Sequence, residues 1–157
     1  MNVWLMDLIK GEKKMLLDSL RERPRLSPNA THMVWFDLEQ AKWFHYDILK
    51  KQMEILGNGA NVSWADEDND VPALARAYGF GGWLEDEKGV LLYDRYDVWK
   101  FEFGNIDNAK TITKGRTQKV VNRIINTRGE SPYTSSSKLY LKMFSETDKT
   151  SGYAALE

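Results

Sequence analysis

The chain has 157 residues, a net charge of −1 and no cysteine. The missing cysteine excludes disulfides and thiolate metal sites, and the near-zero charge excludes a global field drawing the whole molecule to nucleic acid or membrane. The length favours one domain with enough chain to bury a core unaided, and no apolar run approaches the length of a membrane-spanning helix.

Residues 2–22 carry apolar pairs at helical spacing (Trp4/Leu5, Leu8/Ile9, Met15/Leu16, then Leu20), which predicts a helix ended by Arg23-Pro24. Asp7 interrupts the apolar character of this segment, so it does not resemble a secretion signal. A soluble cytoplasmic protein, bacterial or phage-encoded, is the expectation. Residues 32–36 read as a strand or as the lead-in to a second helix. Asp37 and Gln40 resemble a capping box, and Ala41, Phe44, Ile48 and Ile55 continue an amphipathic helix that Gly57 would close. Residues 61–64 suit a short strand and 65–70 an acidic loop. Asp70 would cap a short helix over 71–78.

Residues 81–103 predict a β-meander of three short strands. In the last, Trp99, Phe101 and Phe103 alternate with Lys100 and Glu102, as on a half-buried antiparallel strand. Their apolar face is expected to pack on the helix holding Phe44 and Ile48. A basic helix over 113–127 follows, with Val120, Val121, Ile124 and Ile125 inward and Arg116, Lys119 and Arg123 outward. Residues 138–144 alternate like a strand, and the tail from 146 is expected to fray. No internal repeat is visible. The predicted fold class is therefore α+β: a single domain over 1–145, with a small antiparallel meander packed by two to four helices, and a tail over 146–157.

Charge is segregated along the chain. Acids gather at Asp66-Glu67-Asp68 with Asp70 and at Glu85-Asp86-Glu87, whereas bases gather at Lys110, Lys114, Arg116, Lys119, Arg123 and Arg128. These six are the candidate binding residues, able to track a phosphate backbone or an acidic protein surface. The bland alternative is a solvated helix face paired with the 66–70 loop. The six Trp raise the expectation of an interaction surface without locating it.

Two near-motifs fail on chemistry. Gly104 to Thr111 has a P-loop outline, but Ala109 stands where the second glycine must let the backbone wrap a phosphate. Asp66, Asp68 and Asp70 open like a calcium loop, but Val71 and Ala77 replace its turn glycine and closing acid. The two histidines, His32 and His45, have no nucleophile or ligand at a readable spacing, and His45 reads as a non-catalytic helical residue. No catalytic residue, metal ligand or cofactor is assigned. The leading reading is a small non-catalytic binding or regulatory protein engaging a nucleic acid or an acidic surface of a larger complex, such as a phage- or bacterium-encoded inhibitor. One alternative is a metal-dependent phosphodiesterase or nuclease using Glu85, Asp86, Glu87, Asp94 and Asp97. Another is a structural subunit whose surface Trp residues are buried between copies, with homo-oligomerisation left open.

Overall fold

The computed structural model describes residues 1–105, 109–125, 132–134 and 137–156. It is built from β-strands throughout, in four antiparallel sheets that follow one another along the chain. Strands β1 (Val3–Met6) and β2 (Lys13–Leu17) form a hairpin. β3 (Arg25–Leu26), β4 (His32–Asp37), β5 (Lys42–Asp47) and β6 (Gln52–Leu56) form a four-stranded meander. β7 (Phe80–Trp83), β8 (Gly89–Tyr93), β9 (Val98–Glu102) and β10 (Lys110–Thr111) form a second one. β11 (Val120–Ile124), β12 (Leu139–Ser145) and β13 (Ser151–Leu156) form a three-stranded sheet.

The sheets pack face to face in chain order. Opposed positions share a face, so Val34, Phe36, Trp43 and Leu56 line one side of the β3–β6 sheet, and Trp35 and Phe44 the other. The first side meets Trp83, Val90, Leu92 and Phe101 of the β7–β10 sheet. The second side meets Leu20, Val3 and Leu17 around the first hairpin. The far side of the β7–β10 sheet, with Leu91, Tyr93 and Val98, packs on Leu139 and Leu141 of β12. Each inner sheet thus buries both faces, and β8 is buried along its whole length. Successive antiparallel meanders stacked this way share the local construction of β-propeller blades.

The expected helices are corrected. Among the described residues the only helical segments are two 3-10 turns, Glu85–Glu87 and Arg116–Gln118, and none is long and apolar enough to cross a membrane. Residues 2–22 form β1 and β2, residues 32–36 take the strand reading as part of β4, the predicted helix from Asp37 to Gly57 is β5 and β6, and residues 71–78 contain no helix. The basic helix is a 3-10 turn followed by β11. The tail expected to fray supplies β13, paired with β12 over six positions. The meander expected over 81–103 is present as β7, β8 and β9. Phe101 packs edge-on to Trp64, with ring centroids 5.4 Å apart, rather than on a helix carrying Phe44 and Ile48. Phe44 lies on the opposite side of its sheet.

A turn device recurs where no repeat is visible in the sequence. Asp7 Oδ1 accepts hydrogen bonds from the Ile9 and Lys10 amides, and Gly11 follows in the left-handed region. Asp37 Oδ1 accepts from Glu39 and Gln40, followed by left-handed Ala41. Asp47 Oδ1 accepts from Lys50, followed by left-handed Lys51. Ser145 and left-handed Lys149 repeat the spacing between β12 and β13. A short polar side chain closes the turn and a positive φ four residues on returns the chain to the next strand. The apolar pairs of the hairpins therefore recur at intervals that mimic a helix.

Candidate functional site

The five predicted binding residues among the described ones sit in different settings. Lys110 is exposed on β10, and Lys114 is exposed in the loop after it. Lys119 is exposed and left-handed, with its carbonyl accepting from the Glu146 amide at 2.9 Å. Arg116 donates to Asp94 Oδ2 at 2.8 Å and lies 5.3 Å from the Tyr96 ring. Partial burial works against its charge, and the Asp94 carboxylate more than offsets that. The Arg123 guanidinium donates to the carbonyls of Asn122 at 2.8 Å and of Asp94 and Arg95 at 3.1 Å, over the Tyr93 ring. Burial pulls its pKa below the ordinary arginine value, because the nearby tyrosines and acids compensate only in part. Arg123 is therefore a half-buried fastener and Arg116 an exposed side chain tied to buried Asp94, whereas Lys110, Lys114 and Lys119 face solvent. Arg128 lies outside the described residues, as do positions 106–108 of the P-loop outline.

The meander acids are also consumed. Asp94, fully buried, accepts from the Tyr96 and Asp97 amides at 2.7 and 2.6 Å, from Trp99 Nε1 at 3.0 Å and from Arg116. Asp97 accepts from the Thr113 hydroxyl at 2.7 Å and from the Gly115 and Arg116 amides at 2.5 and 3.1 Å. Buried Glu87 accepts from the Ser27 and Thr31 hydroxyls and the Asn29 amide, pinning the β3–β4 turn. Burial alone would raise its pKa, but these hydrogen bonds win and lower it. Glu85 and Asp86 are exposed, with Asp86 paired to Lys88. In the 66–70 loop, Asp68 pairs with Arg95 at 2.9 Å. Among the described residues no group of three or more histidines or acids has the arrangement to hold a metal ion.

The structure instead assembles a histidine chain. His45 and Glu54 are directly opposed on β5 and β6, and His32 lies diagonally from His45 on β4. His45 Nδ1 is 2.7 Å from Glu54 Oε1, and His45 Nε2 is 2.9 Å from His32 Nδ1. An ionised Glu54 only accepts, so the His45 proton belongs on Nδ1, its Nε2 accepts, and His32 donates from Nδ1. The buried His45 ring lies flat on Phe103, with centroids 3.5 Å apart. Burial lowers its pKa, against the opposing pull of Glu54. The three groups line a cavity of about 410 Å³ that Asp47, Gln52 and Met53 also border. The chain can fix one tautomer and offer His32 Nε2 as a hydrogen-bond acceptor. Sequence reasoning missed it because a helix keeps residues 32, 45 and 54 apart; hairpin turns at 38–41 and 48–51 bring them together.

The outward face of the last sheet carries aromatic side chains around a cation. Tyr140, Lys142 and Phe144 alternate along β12 and are exposed, and Tyr153 on β13 stands opposite Lys142. Tyr140 is 46% and Tyr153 78% exposed. At the other end of the stack the first hairpin exposes Trp4, Leu5, Met6 and Met15. Comparison with protein-family models and with curated proteins finds no match to this chain.

Proposed function

We propose that the chain is a non-catalytic binding module that engages an acidic protein surface through the outward face of β11–β13. The observation that carries this reading is the cluster of Tyr140, Phe144 and Tyr153 around Lys142, exposed on a sheet whose other face is built into the core. Aromatic side chains offer large contact area at low entropic cost, and exposed clusters of this kind mark interaction sites more often than scattered apolar residues do. Lys142, with Lys114 and Lys119 exposed elsewhere in the same stretch of chain, suits a partner of negative charge. A nucleic acid is the weaker fit, because Arg123 is spent on backbone carbonyls and Arg116 is already paired with Asp94. The meander-acid nuclease reading loses support because Asp94, Asp97 and Glu87 are saturated by protein donors.

The test is fluorescence anisotropy with two labelled probes, an acidic peptide rich in Glu and Leu and a single-stranded oligonucleotide. Saturable binding of the peptide that weakens with salt, and that a Tyr140→Ser/Phe144→Ser/Tyr153→Ser variant of unchanged melting temperature loses at least tenfold, is the expected result. Tighter binding of the oligonucleotide, or equal peptide binding by the variant, contradicts the reading.

A further inference from the structure

The edge strand β13 lacks the devices that blunt other sheet edges in this chain. β3 and β10 are two residues long, β7 carries a register shift, and β6 carries Glu54; shortness, irregularity and inward charge all discourage pairing with another chain. β13 runs over six residues, Ser151–Leu156, with no charge, no proline and an unbroken register against β12. The Ile125 amide donates to the Tyr140 carbonyl, so Tyr140 bonds toward β11. Antiparallel ladders alternate, and its partner Ala155, with Tyr153 and Ser151, therefore turns its amide and carbonyl to the free edge of β13. The side chains of these three are exposed on the outward face, whereas Ala154 and Leu156 pack inward.

Beside this edge the three-stranded sheet stops short of its four-stranded neighbour. A cleft of about 530 Å³ is lined by Leu139 and Leu156 on one side and by Leu91, Lys100 and Ile112 on the other, among others. Lys100 and Lys110 are directly opposed on β9 and β10 and share the face that carries Leu91. Opposed like charges are unfavourable. Glu102 pairs with Lys100 at 2.7 Å, while exposed Lys110 has no ion pair among the described residues. This margin thus holds one positive charge in excess. Glu85 and Lys88, which also border the cleft, belong to the β7–β8 turn, on the side of the sheet away from β10.

We infer that β13 is the docking edge for an extended acidic segment of a partner protein, which adds antiparallel as a fourth strand with apolar side chains in the cleft and a carboxylate on Lys110. The inference rests on the acidic protein partner proposed above and names how that partner is held. Strand addition draws affinity from main-chain hydrogen bonds and specificity from pockets for alternate side chains. A second copy of this chain is the poorer occupant, because β13 brings no acid to Lys110.

The experiment is fluorescence anisotropy of the whole chain with a labelled peptide, Glu-Thr-Val-Thr-Val-Thr-Glu. With Val and Glu side chains inward, its Thr residues stand opposite Ser151, Tyr153 and Ala155, so the Thr amides bond β13 and the Val amides face away. The expected result is saturable binding that N-methylation of the central Thr weakens at least tenfold and N-methylation of a Val leaves nearly unchanged. Ala155→Pro removes an edge donor without touching the β12 ladder and should cost as much at an unchanged melting temperature; should it fail to fold, the methylated peptides decide on the native chain. Exchanging both Glu for Lys should also abolish binding. No binding, equal effects of the two methylations, equal affinity in folded Ala155→Pro, or equal binding of the Lys peptide overturns the inference. Binding that Tyr140→Ser/Phe144→Ser/Tyr153→Ser abolishes but that ignores the methylated position refutes the edge and leaves the outward face standing. Dimerisation that Ala155→Pro abolishes, without peptide affinity, gives the edge to a second copy and likewise overturns the inference.

Discussion

His45 Nδ1 stands 2.7 Å from Glu54 Oε1 at directly opposed positions of β5 and β6, and the His45 ring is stacked flat on Phe103. That placement makes stability depend on pH near neutrality. Burial lowers the His45 pKa from its ordinary 6.5, so the unfolded chain binds this proton more readily than the folded one. Stability from His45 is then fully present above about pH 6.5 and is lost as pH falls toward the lowered folded value. The lowered carboxylates Asp47 and Glu87 lose their contribution only in more acid solution, so the two effects separate. Urea unfolding at intervals from about pH 7.5 to about 5.5 should show falling stability. A His45→Gln variant should show a flatter profile over the same window, and an identical profile would place the titration elsewhere.

Glu87 ties the turn before β8 to the β3–β4 turn through three donors, the hydroxyls of Ser27 and Thr31 and the Asn29 amide. Glu87→Gln keeps the shape but replaces an acceptor-only carboxylate by a group whose amide end meets donors. A loss of about 2 kcal/mol follows from the usual strength of hydrogen bonds to a charged group. Denaturant titration at neutral pH measures it. The difference between wild type and variant should shrink below about pH 4.5, where the wild-type carboxylate is protonated in the unfolded chain and its advantage fades as the lowered folded pKa is reached.

The basic residues divide into two classes with opposite mutational signatures. Arg123→Gln removes a guanidinium that serves three carbonyls and stacks on Tyr93, and should destabilise by about 2 kcal/mol. Lys114→Gln and Lys119→Gln touch exposed side chains and should stay within about 0.5 kcal/mol. Thermal melts of the three variants check this. Equal, small effects would return Arg123 to the surface.

The meander was legible because Trp99, Phe101 and Phe103 alternate strictly with charged residues. The helices were misread for a physical reason. β5 buries Trp43, Phe44, His45 and Asp47 because sheets pack on both its sides, so the period-two signal vanishes. Turns such as Asp37–Ala41 and Asp47–Lys51 then place the next apolar pair at a distance that imitates helical recurrence. One signal pointed the other way: Val34, Trp35, Phe36, Trp43, Phe44 and Tyr46 are β-branched or aromatic and favour strands. The left-handed turn positions four residues after Asp37 and Asp47 are Ala41 and Lys51, types that do not announce a positive φ in the sequence. For the binding residues, a helical wheel placed Arg116, Lys119 and Arg123 together, whereas the left-handed Lys119 separates the 3-10 turn from β11. The His32–His45–Glu54 chain depends on strand register between residues far apart in sequence, which spacing alone does not report.

The His32–His45–Glu54 chain and the two-sided burial of the β3–β6 sheet rest on the hairpin register of residues 32–56, and one measurement addresses it directly. Tyr46 and Met53 are opposed on β5 and β6, so their Cα atoms should lie about 4.5–5.5 Å apart, within disulfide reach. In a continuous helix seven residues span about 10.5 Å, beyond it. The native chain has no cysteine, so a Tyr46→Cys/Met53→Cys variant reports without competition. Quantitative disulfide formation under mild oxidation, with the melting temperature held or raised, is the predicted result. A variant that stays reduced, or that forms the bond only on unfolding, would contradict the sheet and every site built on it.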